Sequence, residues 1–453
     1  MKKSTKITEI TMTEGSLWKN ILLFSLPLML SNMLQVLFNM TDVAVVGTFS
    51  GASALGSVGS TATLIFLFTS LIMGFASAAN ILTALYIGAG DRRSLRKTVH
   101  TSAILCLIAG ILILVLGQIF CRLILTVMNT KESLIDGAVL YLRIYLFGMP
   151  ALAIYNFGNA VLSASGDTKR PLKYLTTSGI VNVILNIFFV CFLGMSVDGV
   201  AIASVIAQYI SATLILITLF HDDADYRLSI NELKIDGDIA RSFISLGLPA
   251  GIQNAIFQFA NLFIQVGVNS FSPVVVAGNS AASNADALVY DAMAAFYVAC
   301  TSFMSQNNGA GQRSRCMKSY LICLFYSFII GLVMGLSLVV FAKPFLSLFT
   351  QDSDVIKEGI YRLTIMGLSY AVSAFMDCTI AASRSLGKSA IPMIIVIMGS
   401  CVFRVFWMYT VFAYFRTISS IYILYVFSWL LTAIAEIIYF IYAWKHQATY
   451  AQQ

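Results

Sequence analysis

The stretches LPLMLSNMLQVLFNMTDVAVVG (residues 26–47) and LPAGIQNAIFQFANLFIQ (residues 248–265) carry one pattern twice. Leu26-Pro27 with Asn32 and Asn39 in the first returns as Leu248-Pro249 with Asn254 and Asn261 in the second. The same offset, 221 to 222 residues, relates Gly88-Ala89-Gly90 to Gly309-Ala310-Gly311, and Gly166 with Pro171 to Gly387 with Pro392. The chain is therefore two halves of one architecture joined in tandem. In an apolar chain this predicts a transporter, whose cargo sits between pseudo-symmetric halves that rock against each other.

Most of this chain is built for lipid. Of 453 residues, 58% are hydrophobic and 11% charged, with a mean hydropathy of +0.85, whereas soluble globular domains carry about 25% charged residues. Stretches such as 104–120, 180–193 and 322–341 read as membrane helices by length and flanks, not as the alternating segments of about ten residues that a barrel needs. The pattern predicts an all-α integral membrane fold of about twelve transmembrane helices, six per half. An even number returns the chain to its starting side, so the two six-helix lobes are expected to be related by a pseudo-two-fold axis along the membrane normal. Residues 1–220 are expected to form the N-terminal lobe, the polar interruption at 221–238 a cytoplasmic linker, and 239–453 the C-terminal lobe.

With the amino terminus placed in the cytoplasm, the inner segments collect most of the basic residues, from Lys2, Lys3 and Lys6 through Arg92, Arg93, Arg96 and Lys97 to Lys388 and Lys445. The outer side keeps only Arg122, Lys131, Lys343, Lys357 and Arg416. This asymmetry predicts a multi-pass protein of the cell membrane with both termini cytoplasmic. It also accounts for the net charge of +7 without a nucleic-acid partner. The polar leader carries Glu9 and Glu14 and runs into a full span, so no cleavable signal peptide is expected. The eight cysteines are dispersed without metal spacing and read as small core residues. His100, His221 and His446 fit no ligand motif, so neither an enzyme nor a cofactor carrier is expected.

Polar side chains inside the spans must face protein or water, because each is costly in hydrocarbon. Asn32, Gln35, Asn39 and Asp42 are spaced i, i+3, i+7, i+10, within an arc of roughly 80° at about 100° per residue. Asn254, Gln258, Asn261 and Gln265 form the counterpart stripe, without a carboxylate. Both stripes are expected to line a substrate cavity, together with Met33 and other adaptable apolar side chains such as Met29 and Phe259. An ionised carboxylate costs about 2.5 to 3.5 kcal/mol at mid-membrane, so Asp42 should be protonated, paired with a cation or hydrated, and is switchable in each case. Asn182 and Asn186 lie one turn apart, with Ser204 further on. Their oxygens suit a hard-cation shell around Asp42, where Na+ is a candidate, and they suit helix–helix hydrogen bonding equally well.

In the second half, Asp286 shares a face with Asn279 and Ser283, and Asp377 with Tyr370 and Ser373, so both acids are expected to line the cavity and attract a cation. Asp291 and Glu436 give no clear reading. Arg404 is a candidate intramembrane counter-ion, while Arg143 and Arg362 occupy similar places in the two halves and are expected to snorkel outward. Pro27 and Pro249 permit a bend in the helices that carry the stripes. The glycine clusters lack phosphate-loop spacing and read as turns.

ANILTALYIGAGDRRSLRK (79–97), SASGDTKRPL (163–172) with NVILN (182–186), TSFMSQNNGAGQ (301–312), SRSLGKSAIPM (383–393) and GSCVFRVFW (399–407), taken with the two opening stretches, span nearly the whole chain. In their order they resemble the multidrug and toxic-compound extrusion family of the multidrug/oligosaccharidyl-lipid/polysaccharide superfamily. The resemblance implies a secondary active antiporter that expels cationic or amphipathic, drug-like compounds in exchange for H+ or Na+. It implies further that Asp42 is the coupling-ion site and that Pro27 lets its helix bend. Family members often add an N-x-x-x-D pair on the fifth helix and a hydroxyl on the sixth. Here the pair is Asn182 and Asn186, without the second carboxylate, and Ser204 supplies the hydroxyl. Membrane lipids are the expected surroundings and a monomer the expected state. The alternative within the superfamily is a flippase of lipid-linked oligosaccharide or another amphiphile, which the mainly acidic intramembrane charges disfavour.

Overall fold

A computed structural model describes residues 10–128 and 130–446. Lys2, Lys3, Lys6 and Glu9 of the leader, and both chain termini, lie outside the described residues. Among the described residues all regular structure is helical. The first part of the chain holds α1 (Leu17–Val45), α2 (Gly51–Ala89), α3 (Arg92–Val127), α4 (Glu132–Leu146), α5 (Met149–Ser165), α6 (Lys169–Ile187) and α7 (Val197–His221). The rest holds α8 (Gly237–Val268), α9 (Pro273–Gly309), α10 (Arg313–Val340), α11 (Ala342–Leu346), α12 (Ser353–Ser385), α13 (Ala390–Val396), α14 (Phe403–Trp407), α15 (Ala413–Phe415) and α16 (Ile418–His446). Wider π-helical turns extend α1 over Val46–Ser50 and α6 over Phe188–Phe192, and flank α14 at Ile397–Val402 and Met408–Phe412.

The duplicated glycines end helices. Gly90 closes α2 with φ +67°, and its counterpart Gly311 separates α9 from α10 with φ +70°, a left-handed conformation that side chains disfavour. Asp91 then starts α3 by accepting from the backbone N–H groups of Arg93 and Ser94, each at 3.1 Å. Gly166 ends α5 in the same way, and Asp167 takes the N–H groups of Lys169 and Arg170 at the start of α6. The glycine motifs are turns, as their spacing predicts.

Among the described residues ten helices are long and apolar enough to cross a membrane, and α4 with α5, bent by 47° near Gly148 and Pro150, makes an eleventh when taken as one crossing. Helix α8 has the length, 32 residues, but is not in that set. Gln253, Asn254, Gln258, Asn261 and Gln265 dilute its hydropathy. The expected figure of twelve is thus not reached on these criteria.

The chain divides into two compact units. One contains Leu30–Gly251 and the described residues up to Thr11, and the other contains Met12–Met29 and everything from Ile252 onward. The changeover falls just after Pro27 in α1 and just after Pro249 in α8, so each proline-bearing helix begins in one unit and ends in the other. In the first unit, Val99, Phe157, Val161, Leu162, Ile215 and Leu219 from α3, α5 and α7 form a fully enclosed core. Ile108, Leu112, Leu116, Ile119 and Leu123 stand exposed along α3, as a lipid-facing row must. In the second unit, Val289, Met293, Met366, Tyr370 and Ala374 build the corresponding core from α9 and α12. Between lipid-facing surfaces, close packing and internal hydrogen bonds hold helices together, since release of water contributes little there.

The segment between α7 and α8 is packed against the first unit. Tyr226 and Leu228 are buried in its core. Asp222 and the Tyr226 hydroxyl meet the Arg170 guanidinium, whose Nη1 lies 2.7 Å from Asp222 Oδ2. Lys97 pairs with Asp236 at 2.7 Å, Arg92 with Asp225 at 3.0 Å, and His100 Nε2 accepts the Ser229 N–H at 3.0 Å.

Candidate functional site

A close approach of two helices sets the site in the first unit. Gly179 of α6 has no side chain, and the place a Cβ would take is filled by the Phe38 ring of α1. One turn beyond Phe38, the Asp42 carboxylate reaches α6 and α7. Its Oδ1 accepts from Asn186 Nδ2 at 2.5 Å, and its Oδ2 from the Ser204 hydroxyl at 3.3 Å. The Asn186 amide also donates to Asn182 Oδ1 at 3.3 Å, which turns its N–H2 group toward the two oxygens. The carbonyl oxygen of Asn186, fully enclosed, is left without a donor. Tyr141 and Tyr145, stacked one turn apart on α4, lie within electrostatic range of Asp42.

Asp42, Asn182, Asn186 and Ser204 therefore come together as the sequence suggests. Asn39 does not: it is exposed, and no hydrogen bond joins it to the carboxylate. The reason is rotational, since residues three apart on a helix point about 60° apart. Gln35 is exposed as well, while Asn32 and Met33 are half-buried. Ser178 turns its hydroxyl back to the Leu175 carbonyl and takes no part. Chemically, the site offers one carboxylate and several amide and hydroxyl oxygens, a hard donor set that can hold a proton or a small hard cation. Among the described residues no three His, Cys, Asp or Glu side chains gather as a metal site.

The second unit has a different arrangement. Asp286 is not an open acid but is paired with Arg362, whose Nη2 lies 2.5 Å from Oδ2, and also accepts from the Tyr370 hydroxyl. Arg362 does not snorkel outward; it is 3% exposed and lies over the Tyr422 ring, because its carboxylate partner holds it inside. Arg143 is exposed as expected. Asn261 accepts from Arg404, and Gln265 donates to Asn269. Asn254 and Gln258 are half-buried. Asp377 and Glu436 both lie within electrostatic range of Arg384, and Arg384 donates to Gln253 at 2.9 Å. Oδ2 of Asp377 and both oxygens of Glu436 are enclosed without a hydrogen-bond partner.

Sequence reasoning omitted Tyr141, Tyr145 and Gln253 from this setting, and named Glu436 as an intramembrane acid without a clear reading. The i, i+4 tyrosines of α4 were the one available signal. Gln253 falls off the polar stripe of α8, and nothing in a single chain announces that Arg384 will reach it.

The fold and its enclosed polar site define a duplicated, polytopic helical membrane protein with one acidic centre in its first unit. The MatE family model matches residues 27–188 and again 249–410, beginning each time at the proline of the repeated pattern. The chain belongs to the MatE family. It is 27% identical over 398 residues to the probable multidrug resistance protein YoeA of Bacillus subtilis, covering 85% of each chain. It is 24% identical over 390 residues to the probable multidrug resistance protein NorM of Thermotoga maritima, covering 83% of this chain and 82% of the relative. Its fold superposes with a TM-score of 0.91 on a structure described as the outward-facing conformation of a multidrug resistance MATE family transporter, at 22% identity, over 98% of this chain and 99% of the other.

Proposed function

We infer that this protein is a secondary active transporter of the cell membrane that exports cationic or amphipathic organic compounds by antiport with H+ or Na+. Asp42 is the coupling group. The observation that carries the reading is the carboxylate of α1 held by Asn186 and Ser204 between membrane-spanning helices. Both donors satisfy the ionised form, so the site is prepared for a negative charge that a proton or cation then neutralises. Discharging it removes the electrostatic reason for Asn186 and Ser204 to hold α1 at that angle. Pro27, which lacks a backbone N–H in the same helix, lowers the cost of a bend. The names of the relatives support multidrug cargo. With one carboxylate, the expected stoichiometry is one ion per cycle. The chain works as a monomer with both termini in the cytoplasm, among membrane lipids, and needs no cofactor.

The test uses purified protein in sealed proteoliposomes loaded with a fluorescent organic cation. A pH gradient and a sodium gradient are imposed in turn, each without the other. One of the two should drive dye movement at least several-fold above protein-free vesicles. Equal leak under both, with protein demonstrably inserted, contradicts antiport.

A further inference from the structure

Arg404 is the largest fully buried side chain in the second unit, 1% exposed, and it has no acid. Its Nε donates to the Ser428 hydroxyl of α16 at 3.1 Å and its Nη1 to Asn261 Oδ1 of α8 at 2.8 Å. Its guanidinium carbon lies 4.7 Å from the ring centres of both Phe257 and Tyr425. Nη2 has no partner, and no ion pair among the described residues includes Arg404. Arginine stays charged at any physiological pH, so a permanent cation sits in the membrane with only neutral company. An uncompensated buried charge is costly, and an intramembrane one marks a functional site by default.

The duplication sharpens this. Asn182 and Arg404 each lie six residues before the end of their family-model match, at 188 and at 410, so they occupy equivalent places in the two halves. Asn261 is the repeat counterpart of Asn39, a member of the second polar stripe. Where the first half sets neutral Asn182 beside an acid, the second sets a cation beside neutral Asn261. Short helix α14, which carries Arg404, is bounded on both sides by π-helical turns, a feature concentrated at functional sites.

We propose that Arg404, with Asn261 and Ser428, is a binding site for one carboxylate or phosphate group of an amphipathic compound. The free Nη2 donates to the anion, Asn261 and Ser428 hold the fork in register, and Phe257 and Tyr425 supply apolar contact for the adjoining part of the ligand. Its use in transport rests on the export reading above, and it makes zwitterionic or anionic amphiphiles, beside cations, part of the cargo.

The experiment compares two dyes that differ in one group, tetramethylrhodamine with its free carboxylate and tetramethylrhodamine methyl ester, by fluorescence anisotropy on the full chain in dodecyl maltoside micelles. The acid should bind roughly tenfold tighter than the ester, the scale of one charge-assisted hydrogen bond. Arg404→Gln should bring the acid to the ester's affinity. Should that variant fail to fold, Arg404→Lys decides: loss of the fork should reduce the preference several-fold. A wild type without preference, because it binds both alike or neither, overturns the proposal, as does undiminished preference in a folded variant. Adding phosphatidylglycerol separates the sources of the anion: displacement of the acid dye assigns the site to a lipid phosphate, persistence to a soluble compound, and both outcomes support the site. Binding is read without a gradient, so it stands whether or not ion-driven flux is found, and its failure leaves the export reading intact.

Discussion

Ser204 gives the simplest residue-scale test of the first-unit site. Its hydroxyl is the longer of the two bonds to Asp42, and a bond to a charged group contributes about 1.5 to 3 kcal/mol, with 3.3 Å placing it at the low end. Ser204→Ala should therefore lower gradient-driven dye efflux by roughly tenfold; efflux at the wild-type rate removes Ser204 from the site. Asp91 gives a pH prediction outside the membrane. Hydrogen bonds from Ser94, first from its side chain, hold the Asp91 carboxyl below the ordinary carboxylate range. A depressed carboxyl contributes stability that is complete above the unfolded value, about 3.9, and is lost as pH falls through the folded one. The thermal midpoints of wild type and Asp91→Ala should thus differ at neutral pH and converge in strong acid. A difference that widens on acidification contradicts the cap.

At the scale of elements, the contact of α1 with α6 depends on one missing side chain. Gly179→Leu should push the Phe38 ring away, separate Asp42 from Asn186 and abolish gradient-driven efflux. Phe38→Ala in the same chain should restore part of it, a coupling that double-variant measurements of flux detect; independent, additive losses contradict the contact. At the α5–α6 turn and the α7–α8 segment, Arg170 joins Asp167, Asp222 and Tyr226 in a largely enclosed cluster. Arg170→Met should lower stability by about 3 kcal/mol, the low end for breaking such a pair, and release the α7–α8 segment to protease. How far the chain could be read follows the same division. Local features were legible, namely duplicated glycines at helix ends and prolines inside α1 and α8, and the family resemblance pointed to Asp42, Asn182, Asn186 and Ser204 although Asp42 lies 140 or more residues before the other three. Other features set by partners distant in sequence were not. Arg362 reads as a snorkelling residue until α9 places Asp286 against it. Asn39 shares a stripe with Asp42, but the stripe describes directions around one helix and cannot say which of them another helix occupies.

For the molecule as a whole, duplication has been kept while the chemistry has diverged. Both halves preserve the proline, the asparagines and the helix-ending glycines, yet the first sets Asp42 beside neutral partners and the second sets Arg404 among neutral partners. One coupling charge moved through 100 mV supplies about 2.3 kcal/mol, enough to drive accumulation when the cargo is neutral or zwitterionic. Against a monovalent cation, one-for-one exchange is electroneutral and draws only on the ion gradient. The most direct measurement of the central claim is efflux from proteoliposomes containing wild type or Asp42→Asn, under the ion gradient that drives the wild type. The account predicts that Asp42→Asn loses gradient-driven efflux by at least about tenfold while inserting and folding normally. Efflux at the wild-type rate in that variant would contradict it.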